Sequence, residues 1–212
     1  MAITFYYGAG SPFAWRVWLA LEHKAIPHEL KVLSFADGDN RKPEFLALNP
    51  RHKVPLITDG DFVLYESAAI VEYLEELQPV PALFPGEARS RALVRRMVCE
   101  ADQYLEAANA KLIGSVLFTK PEEWDAGKIT AARDALVGEL GLWETAIRGD
   151  YLAGPLSAAD FAVYPMLAIA LRCEKKKPEL GLKAALPAKI AGWMARVEAL
   201  PYFAKTWPAH WK

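Results

Sequence analysis

The chain has 212 residues, enough for one large domain or two small ones. Its formal net charge of −1 gives no reason to expect nucleic acid or a membrane surface as a partner, and no apolar run reaches the roughly 18 residues of a membrane span. Cys99 and Cys173 lie far apart, with no CxxC pair and no Cys/His cluster. The sequence therefore predicts no metal site and favours a reducing, cytoplasmic setting.

The first 78 residues predict a small mixed sheet with helices. Strands are expected over residues 2–7, 28–33, 53–57 and 62–64, and helices over 12–24, over 43–48 and from Glu66 onward. The order β-α-β-α-β-β-α implies one parallel strand pair with a right-handed crossover and one hairpin. This is an α/β, thioredoxin-like arrangement, assigned to residues 1–78.

Residues 79–88 form a proline-rich linker, and residues 89–212 predict an all-α bundle. Apolar residues from Leu93 to Leu112 mark one long helix, and a second helix is expected to open near Pro121. Ser157 and Asp160 have the spacing of a capping box at the start of a further helix. The last predicted helix uses Ile190 to Val197.

Ser11 is the first candidate functional residue. It stands where a strand turns into a helix, followed by Pro12 at the first helical position. One interpretation is a plain N-cap. The other is a hydroxyl that donates to a bound anion, such as a thiolate, beside the positive end of the helix.

Val54-Pro55 and Glu66-Ser67 form the second candidate group. A proline that enters a strand loses a ladder donor, and a cis bond there would turn the Val54 backbone outward, where it could pair with an extended peptide. Glu66 and Ser67 open a helix, so they either cap it or hold the ammonium and carboxylate of a ligand. Together, in this order and spacing, they predict a site for a small peptide.

At these motifs the sequence resembles the cytosolic glutathione S-transferases. The resemblance rests on Ser11-Pro12-Phe13 with Arg16-Val17, on Asn49 to Leu56, on Glu66 to Ile70 and on Gly154 to Asp160, and it covers the whole chain. A serine at the start of the first helix is similar to the theta, tau and zeta branches. One departure is His52, which stands where glycine is common.

The resemblance implies roles for individual residues. Ser11 would hydrogen-bond the glutathione sulfur, Val54 with cis-Pro55 would pair with the cysteinyl backbone, and Glu66 and Ser67 would hold the γ-glutamyl end. Lys53 is the expected partner of the glycyl carboxylate, with Arg41 or His52 as alternatives, and Asp102 would reach the γ-glutamyl amine across a dimer interface. The candidate walls of an electrophile pocket are Phe13, Tyr104, Ile113, Trp207 and Trp211.

The predicted function is that of a glutathione transferase, a cytoplasmic homodimer that uses glutathione as co-substrate for a small apolar electrophile, as in detoxification. Two alternatives remain open at this point. One is a glutathione-dependent isomerase or dehalogenase, as in the zeta and theta branches. The other is a binding module that keeps the fold without turnover.

Overall fold

The structure is a computed structural model that describes residues 3–211. Contacts divide the chain into two compact units. The first holds the residues up to Leu83 together with those from Pro201 onward, and the second is Phe84–Leu200. None of the helices within residues 3–211 has the length and apolar character needed to cross a membrane.

A mixed sheet lies at the centre of the first unit. Its strands follow the order β2-β1-β3-β4 and are β1 (Ile3–Tyr7), β2 (His28–Val32), β3 (Leu56–Asp59) and β4 (Phe62–Tyr65). β1 and β2 are parallel, whereas β3 runs antiparallel to both β1 and β4. The predicted parallel pair and hairpin are therefore confirmed. Ala2, which the prediction included in the first strand, lies outside the described residues.

The helices of the sheet region are α1 (Pro12–His23), α2 (Pro43–Leu48) and α3 (Ser67–Leu77). α1 begins as predicted, because Ser11 caps it and Pro12 supplies a preset backbone angle without an unpaired N–H. α1 and α3 are in contact, and each buries an apolar face. Phe5 of β1 and Ile57 of β3 are fully buried. The sheet and these two helices thus form the core that fixes where α1 and α3 begin.

A buried ion pair explains why the first unit extends beyond residue 78, its predicted end. Lys24 Nζ lies 2.6 Å from Glu75 Oε2 and also donates to the carbonyl oxygens of Gln78 and Pro81. Glu75 Oε2 accepts from the Leu83 N–H at 2.9 Å. Because these bonds hold the start of the proline-rich segment to α1 and α3, the unit ends at Leu83 rather than at the predicted residue 78.

The second unit is helical, as predicted. Its helices are α4 (Ala88–Glu100), α5 (Glu106–Val116), α6 (Ala126–Ala146), α7 (Ala158–Lys176), α8 (Leu182–Ala185) and α9 (Ala188–Glu198). The predicted long helix is α4 and α5 joined by one π-helical turn, Ala101–Leu105. α6 opens later than predicted, because Pro121 starts a separate 3₁₀ turn and Asp125 is the residue that caps the helix, accepting from the Lys128 N–H at 3.0 Å.

The predicted capping box lies at the start of α7. Asp160 is fully buried, and its Oδ2 accepts from the N–H and the hydroxyl of Ser157 at 2.8 and 3.0 Å. Its Oδ1 accepts from the Leu152 N–H at 3.0 Å and from Trp193 Nε1 at 2.7 Å. Asp160 therefore joins the preceding loop, α7 and α9 inside the second unit.

The end of the chain differs from the predicted division. Residues 201–212 were assigned to the helical domain, but the segment from Pro201 onward, with α10 (Phe203–Thr206), clusters with the first unit. The physical reason is Trp15 of α1, which is buried and donates from Nε1 to Thr206 Oγ1 at 2.8 Å. An aromatic side chain with one polar atom is well buried only where that atom finds a partner.

Candidate active site

Ser11 lies at the junction of the loop after β1 and α1. Its Oγ accepts from the Ala14 N–H at 3.3 Å, and its own N–H donates to the Gly8 carbonyl at 3.0 Å. A hydroxyl has one proton and two acceptor lone pairs. The capping bond uses an acceptor lone pair, so the Ser11 proton is still available as a donor to an anion. The capping and anion-binding interpretations of Ser11 are therefore compatible.

A pocket of about 490 Å³ lies in the first unit. Such a volume falls within the range of small-ligand sites. Its lining contains most of the predicted binding residues and three further ones: Phe13, Asn49, Pro50, Arg51, His52, Lys53, Val54, Pro55, Glu66 and Ser67. Ser11 is not among the lining residues, but Phe13, from the same first turn of α1, is. Phe13 therefore places one wall of the pocket on the helix that Ser11 caps.

The Val54–Pro55 peptide bond is cis, as predicted. β3 begins at Leu56, which pairs with Tyr6 of β1 and with Tyr65 of β4. Val54 therefore stands ahead of the ladder, at the pocket, where an extended peptide can pair with its backbone.

His52 adopts a left-handed backbone conformation, with φ +48°. Glycine takes this conformation without steric penalty, whereas histidine is one of the side chains that tolerate it. The turn is held on both sides, because the His52 N–H donates to the Asn49 carbonyl at 3.0 Å and the His52 carbonyl accepts from Asn40 Nδ2 at 2.8 Å. The loop thus keeps the backbone shape that glycine would favour despite the substitution.

Asn49 organises this loop, although the sequence analysis assigned it no role. Its side chain is buried, accepts from the Arg51 N–H at 3.0 Å and donates to the Lys53 carbonyl at 2.8 Å. It therefore fixes the backbone on both sides of His52. The Asn49-Pro50 dipeptide is a turn signal that could have drawn attention to it.

Glu66 and Ser67 form the other wall of the pocket. Glu66 is the N-cap of α3 and has φ +74°, an uncommon backbone conformation for a residue other than glycine. Ser67 is 6% exposed, and its Oγ accepts from Arg16 Nη1 at 3.2 Å. Arg16, buried on α1, is a second residue that the sequence analysis left without a role. Residues with an uncommon backbone conformation, such as that of Glu66, often mark ligand sites.

Charge is distributed unevenly around the pocket. Arg51 and Lys53 lie on the loop before β3, and Glu66 lies at the start of α3. The N-terminus of α3, at Ser67, adds backbone N–H groups that have no acceptor within the helix, next to Glu66. The pocket can therefore hold a short peptide whose one end is anionic and whose other end carries both an ammonium and a carboxylate.

The remaining predicted residues lie elsewhere. Tyr104 (59% exposed) and Asp102 lie in the π-helical turn, and Ile113 is in α5, all in the second unit. Trp207 packs edge-on against Trp15 in the first unit. Arg41 ends a 3₁₀ turn and is not among the pocket-lining residues. The roles suggested for these five residues stay predictions. Trp211 is 5% exposed and packs in the same aromatic cluster, and its suggested place in a pocket wall also stays a prediction.

Tyr7 ends β1, close in sequence to Ser11. Burial raises the pKa of the Tyr7 hydroxyl, and its ring stacks on Phe5 and packs at a tilt against Trp18. Within residues 3–211, His, Cys, Asp and Glu side chains form no group of three or more that could hold a metal ion.

Residues 10–77 match the family model described as glutathione S-transferase, N-terminal domain. Glutathione S-transferase 4 of Zea mays is 33% identical over 196 residues, covering 91% of this chain and 86% of the relative. The chain belongs to the glutathione S-transferase family. Maleylacetoacetate isomerase of Mus musculus is 33% identical over 168 residues, covering 76% of this chain and 75% of the relative.

Among solved structures, this family member resembles the theta class glutathione S-transferase of Xanthomonas axonopodis pv. citri with glutathione bound. The TM-score is 0.84 at 26% identity, covering 97% of this chain and 96% of the other. The similarity extends over both units, so the thioredoxin-like sheet followed by a helical domain is the fold of the family.

Proposed function

We propose that this member of the family is a glutathione transferase in which Ser11 stabilises the glutathione thiolate for attack on an apolar electrophile. The observation that supports it most is the pocket that Lys53, Glu66 and Phe13 line together, since Phe13 belongs to the first turn of the helix that Ser11 caps. Glutathione has the matching pattern of charge, with a carboxylate at its glycyl end and an ammonium and a carboxylate at its γ-glutamyl end.

Glutathione is proposed to lie extended across the pocket. Glu66 pairs with the γ-glutamyl ammonium, while Ser67 and the N-terminus of α3 hold the carboxylate beside it. The Val54 backbone pairs with the cysteinyl residue. Lys53 binds the glycyl carboxylate, with His52 or Arg41 as the alternative, and Arg51 adds positive charge at the same side of the pocket.

The chemical step begins with the thiolate. A free thiol has a pKa of about 8.5, so only a few per cent is ionised at neutral pH. The Ser11 hydroxyl donates a hydrogen bond to the sulfur anion, and the start of α1 adds a positive potential. Each unit by which the thiol pKa falls corresponds to about 1.4 kcal/mol of preferential stabilisation. The thiol proton leaves to solvent, the sulfur forms a bond to the electrophilic carbon, and the leaving group departs with the electron pair.

The electrophile is proposed to be small and apolar, and Phe13 is the pocket residue that would meet it. Tyr104, Ile113 and Trp207 remain the other proposed wall residues. Conjugation of such compounds is a detoxification reaction.

Substitution of Ser11 tests the proposal. Ser11→Ala is expected to raise the thiol pKa of bound glutathione by about one to two units and to lower kcat by about 10- to 100-fold, while the affinity for glutathione stays near that of the wild type. Ser11→Thr, which keeps a hydroxyl, serves as the matched control. A thiol pKa and turnover that do not change in Ser11→Ala would remove Ser11 from the mechanism.

A second candidate is a glutathione-dependent isomerase, favoured by the similarity to the mouse maleylacetoacetate isomerase. The same Ser11 and pocket would supply the thiolate, which adds to a double bond and is eliminated after rotation. Assays with an activated aryl halide and with a cis-configured unsaturated dicarbonyl compound distinguish the two activities. The further alternative, a non-catalytic module, predicts no turnover of either substrate, and failure to bind glutathione in calorimetry would favour it.

We also propose that the protein is a homodimer in the cytoplasm. Both cysteines are free thiols, which suits a reducing compartment, and dimers are the commonest symmetric assembly. Asp102 is the residue proposed to reach the γ-glutamyl amine of the partner's glutathione. Sedimentation equilibrium measures the assembly, and an Asp102→Asn variant with unaltered glutathione affinity would exclude that contact.

A further inference from the structure

The last described residues form a strap along α1. We use the name C-terminal strap for Tyr202–Trp211. At the C-terminal end of α1, Tyr202 Oη and His23 Nδ1 are hydrogen-bonded at 2.8 Å, and Lys205 Nζ lies 2.8 Å from Glu22 Oε1. The strap is therefore anchored at the end of α1 that lies away from Ser11, about 18 Å from it along the helix axis.

The middle of the strap packs on Trp15. Trp15 Nε1 donates to Thr206 Oγ1 at 2.8 Å, and the rings of Trp207 and Trp211 stand edge-on to the Trp15 ring at 5.4 and 5.5 Å between centroids. Thr206, Trp15 and Trp211 are each at most 5% exposed. Edge-to-face aromatic pairs add a preferred geometry to the apolar burial. These contacts fix the position of the strap along α1.

The strap ends against Gly10, the residue before Ser11. A methyl group added at Gly10 would lie 3.1 Å from His210 Cε1 and 3.1 Å from Trp211 Nε1. Gly10 has φ +83°, a conformation that favours glycine. The backbone that leads into the N-cap of α1 is therefore confined on one side by two side chains that come about 200 residues later in the chain.

We propose that His210 and Trp211 are positioning residues for the Ser11 hydroxyl. They hold Gly10, and Gly10 sets the backbone from which Ser11 projects. This inference rests on the proposed role of Ser11 toward the glutathione sulfur. An error of about 1 Å in the position of a catalytic group can lower a rate by about 100-fold. The strap thereby supports the chemical half of the site, while Lys53, Glu66 and Ser67 make the binding half.

Experiments can separate an effect on the chemical half of the site from an effect on its binding half. In Trp211→Ala, the thiolate fraction of bound glutathione at neutral pH is expected to fall about three- to tenfold, and kcat by the same factor. The dissociation constant of glutathione is expected to stay within about twofold, because the pocket residues do not change. His210→Ala, which removes an exposed side chain, is expected to act in the same direction by about twofold or more. Ultraviolet titration measures the thiolate fraction, and calorimetry measures the dissociation constant of glutathione.

Tyr202→Phe is the matched control, since it alters the strap at the opposite end of α1 and removes the hydroxyl that is bonded to His23. It is expected to lower the melting temperature without changing the thiolate fraction. Trp211→Phe, which keeps an aromatic ring, is expected to recover most of the loss. If Trp211→Ala does not fold, His210→Ala decides the question.

Three outcomes have separate meanings. A fall in thiolate fraction and kcat at constant glutathione affinity supports the strap as a positioning element. If the thiolate fraction and kcat do not change in folded Trp211→Ala and His210→Ala but fall in Ser11→Ala, the role of the strap is overturned and the proposed function stands. Unchanged values in Ser11→Ala overturn both.

Discussion

Arg16 donates from Nη1 to Ser67 Oγ at 3.2 Å, and this bond joins the helix that Ser11 caps to the helix that Glu66 caps. Arg16 is 1% exposed, so the bond lies beneath the pocket rather than in solvent. It fixes the direction of a hydroxyl that belongs to the proposed γ-glutamyl site. The proposed chemical half and the proposed binding half of the site are therefore joined by a hydrogen bond between α1 and α3.

This link predicts the behaviour of Arg16→Lys. The substitution keeps the positive charge but loses the planar donor that meets Ser67. The dissociation constant of glutathione is expected to rise about three- to tenfold, or about 0.7–1.4 kcal/mol, which is part of the roughly 1.5–3 kcal/mol that a hydrogen bond to a charged group contributes. Ser67→Ala is expected to have an effect of similar size, and kcat at saturating glutathione is expected to change less than the affinity.

Calorimetry on folded variants measures the effect, with Ser115→Ala as control. The Ser115 hydroxyl lies on α5 and donates to the Lys111 carbonyl of its own helix, so its loss leaves the pocket intact. An Arg16→Lys variant that binds glutathione like the wild type would show that the bond to Ser67 does not orient the site.

Local chemistry made the start of α1 and the cis bond predictable. Ser11-Pro12 signals a helix start, and Val54-Pro55 stands where a strand is entered, and both patterns involve adjacent residues. Arg16 and the C-terminal strap escaped prediction, because their partners are distant in sequence. Ser67 is 51 residues from Arg16, and Thr206 is 191 residues from Trp15. Helical periodicity marks which residues are buried but not which distant segment covers them.

The backbone conformation of His52 indicates that one substitution there should stabilise the protein. His52 has φ +48°, where a side chain has a steric cost that glycine lacks. His52→Gly is expected to raise the free energy of unfolding by about 0.5 kcal/mol, after the greater entropy of glycine in the unfolded chain is allowed for. His52→Ala, which removes the ring but keeps the steric cost, is the control and is expected to be neutral or destabilising. Urea denaturation measures both variants.

The comparison separates the backbone of His52 from its ring. If His52→Gly is less stable than His52→Ala, the left-handed conformation is not what strains this loop. Glutathione affinity measured on the same proteins tests the ring itself. A loss of affinity shared by both variants would identify the imidazole as a ligand for the glycyl carboxylate.

Asp160 predicts a large loss of stability in the second unit. Its carboxylate accepts from Ser157, Leu152 and Trp193 and is fully buried. In Asp160→Asn one oxygen becomes an NH₂ group, which faces donors and leaves them without an acceptor. The free energy of unfolding is expected to fall by about 3 kcal/mol, as for other broken buried networks.

The matched control is Asp150→Asn, at an exposed position of the same unit, where a change within about 0.5 kcal/mol is expected. Both variants are compared by thermal and urea unfolding. Equal stabilities of the two variants would show that the second unit does not depend on the acceptors of Asp160.

His23 predicts a dependence of stability on pH. Burial, with a smaller contribution from the neighbouring Lys24 cation, lowers the pKa of His23 from 6.5 to about 4. Below about pH 6.5, His23 therefore binds a proton in the unfolded chain, whereas in the folded protein it stays neutral until the pH approaches about 4. The stability associated with neutral His23 is complete above the unfolded pKa, is lost as the pH falls toward about 4, and changes no further below that.

The expected loss is about 1–2 kcal/mol, because solvent still reaches part of the His23 ring and weakens the effect. His23→Gln cannot titrate and retains a polar group near Tyr202, whose hydroxyl is bonded to His23 Nδ1. Urea unfolding between about pH 4 and pH 7.5 should give a shallower pH dependence for His23→Gln than for the wild type, with the two curves converging at low pH. Parallel curves would assign the acid sensitivity to other groups. Since Tyr202 begins the C-terminal strap, acid is also expected to weaken the anchor at the end of α1 that lies away from Ser11.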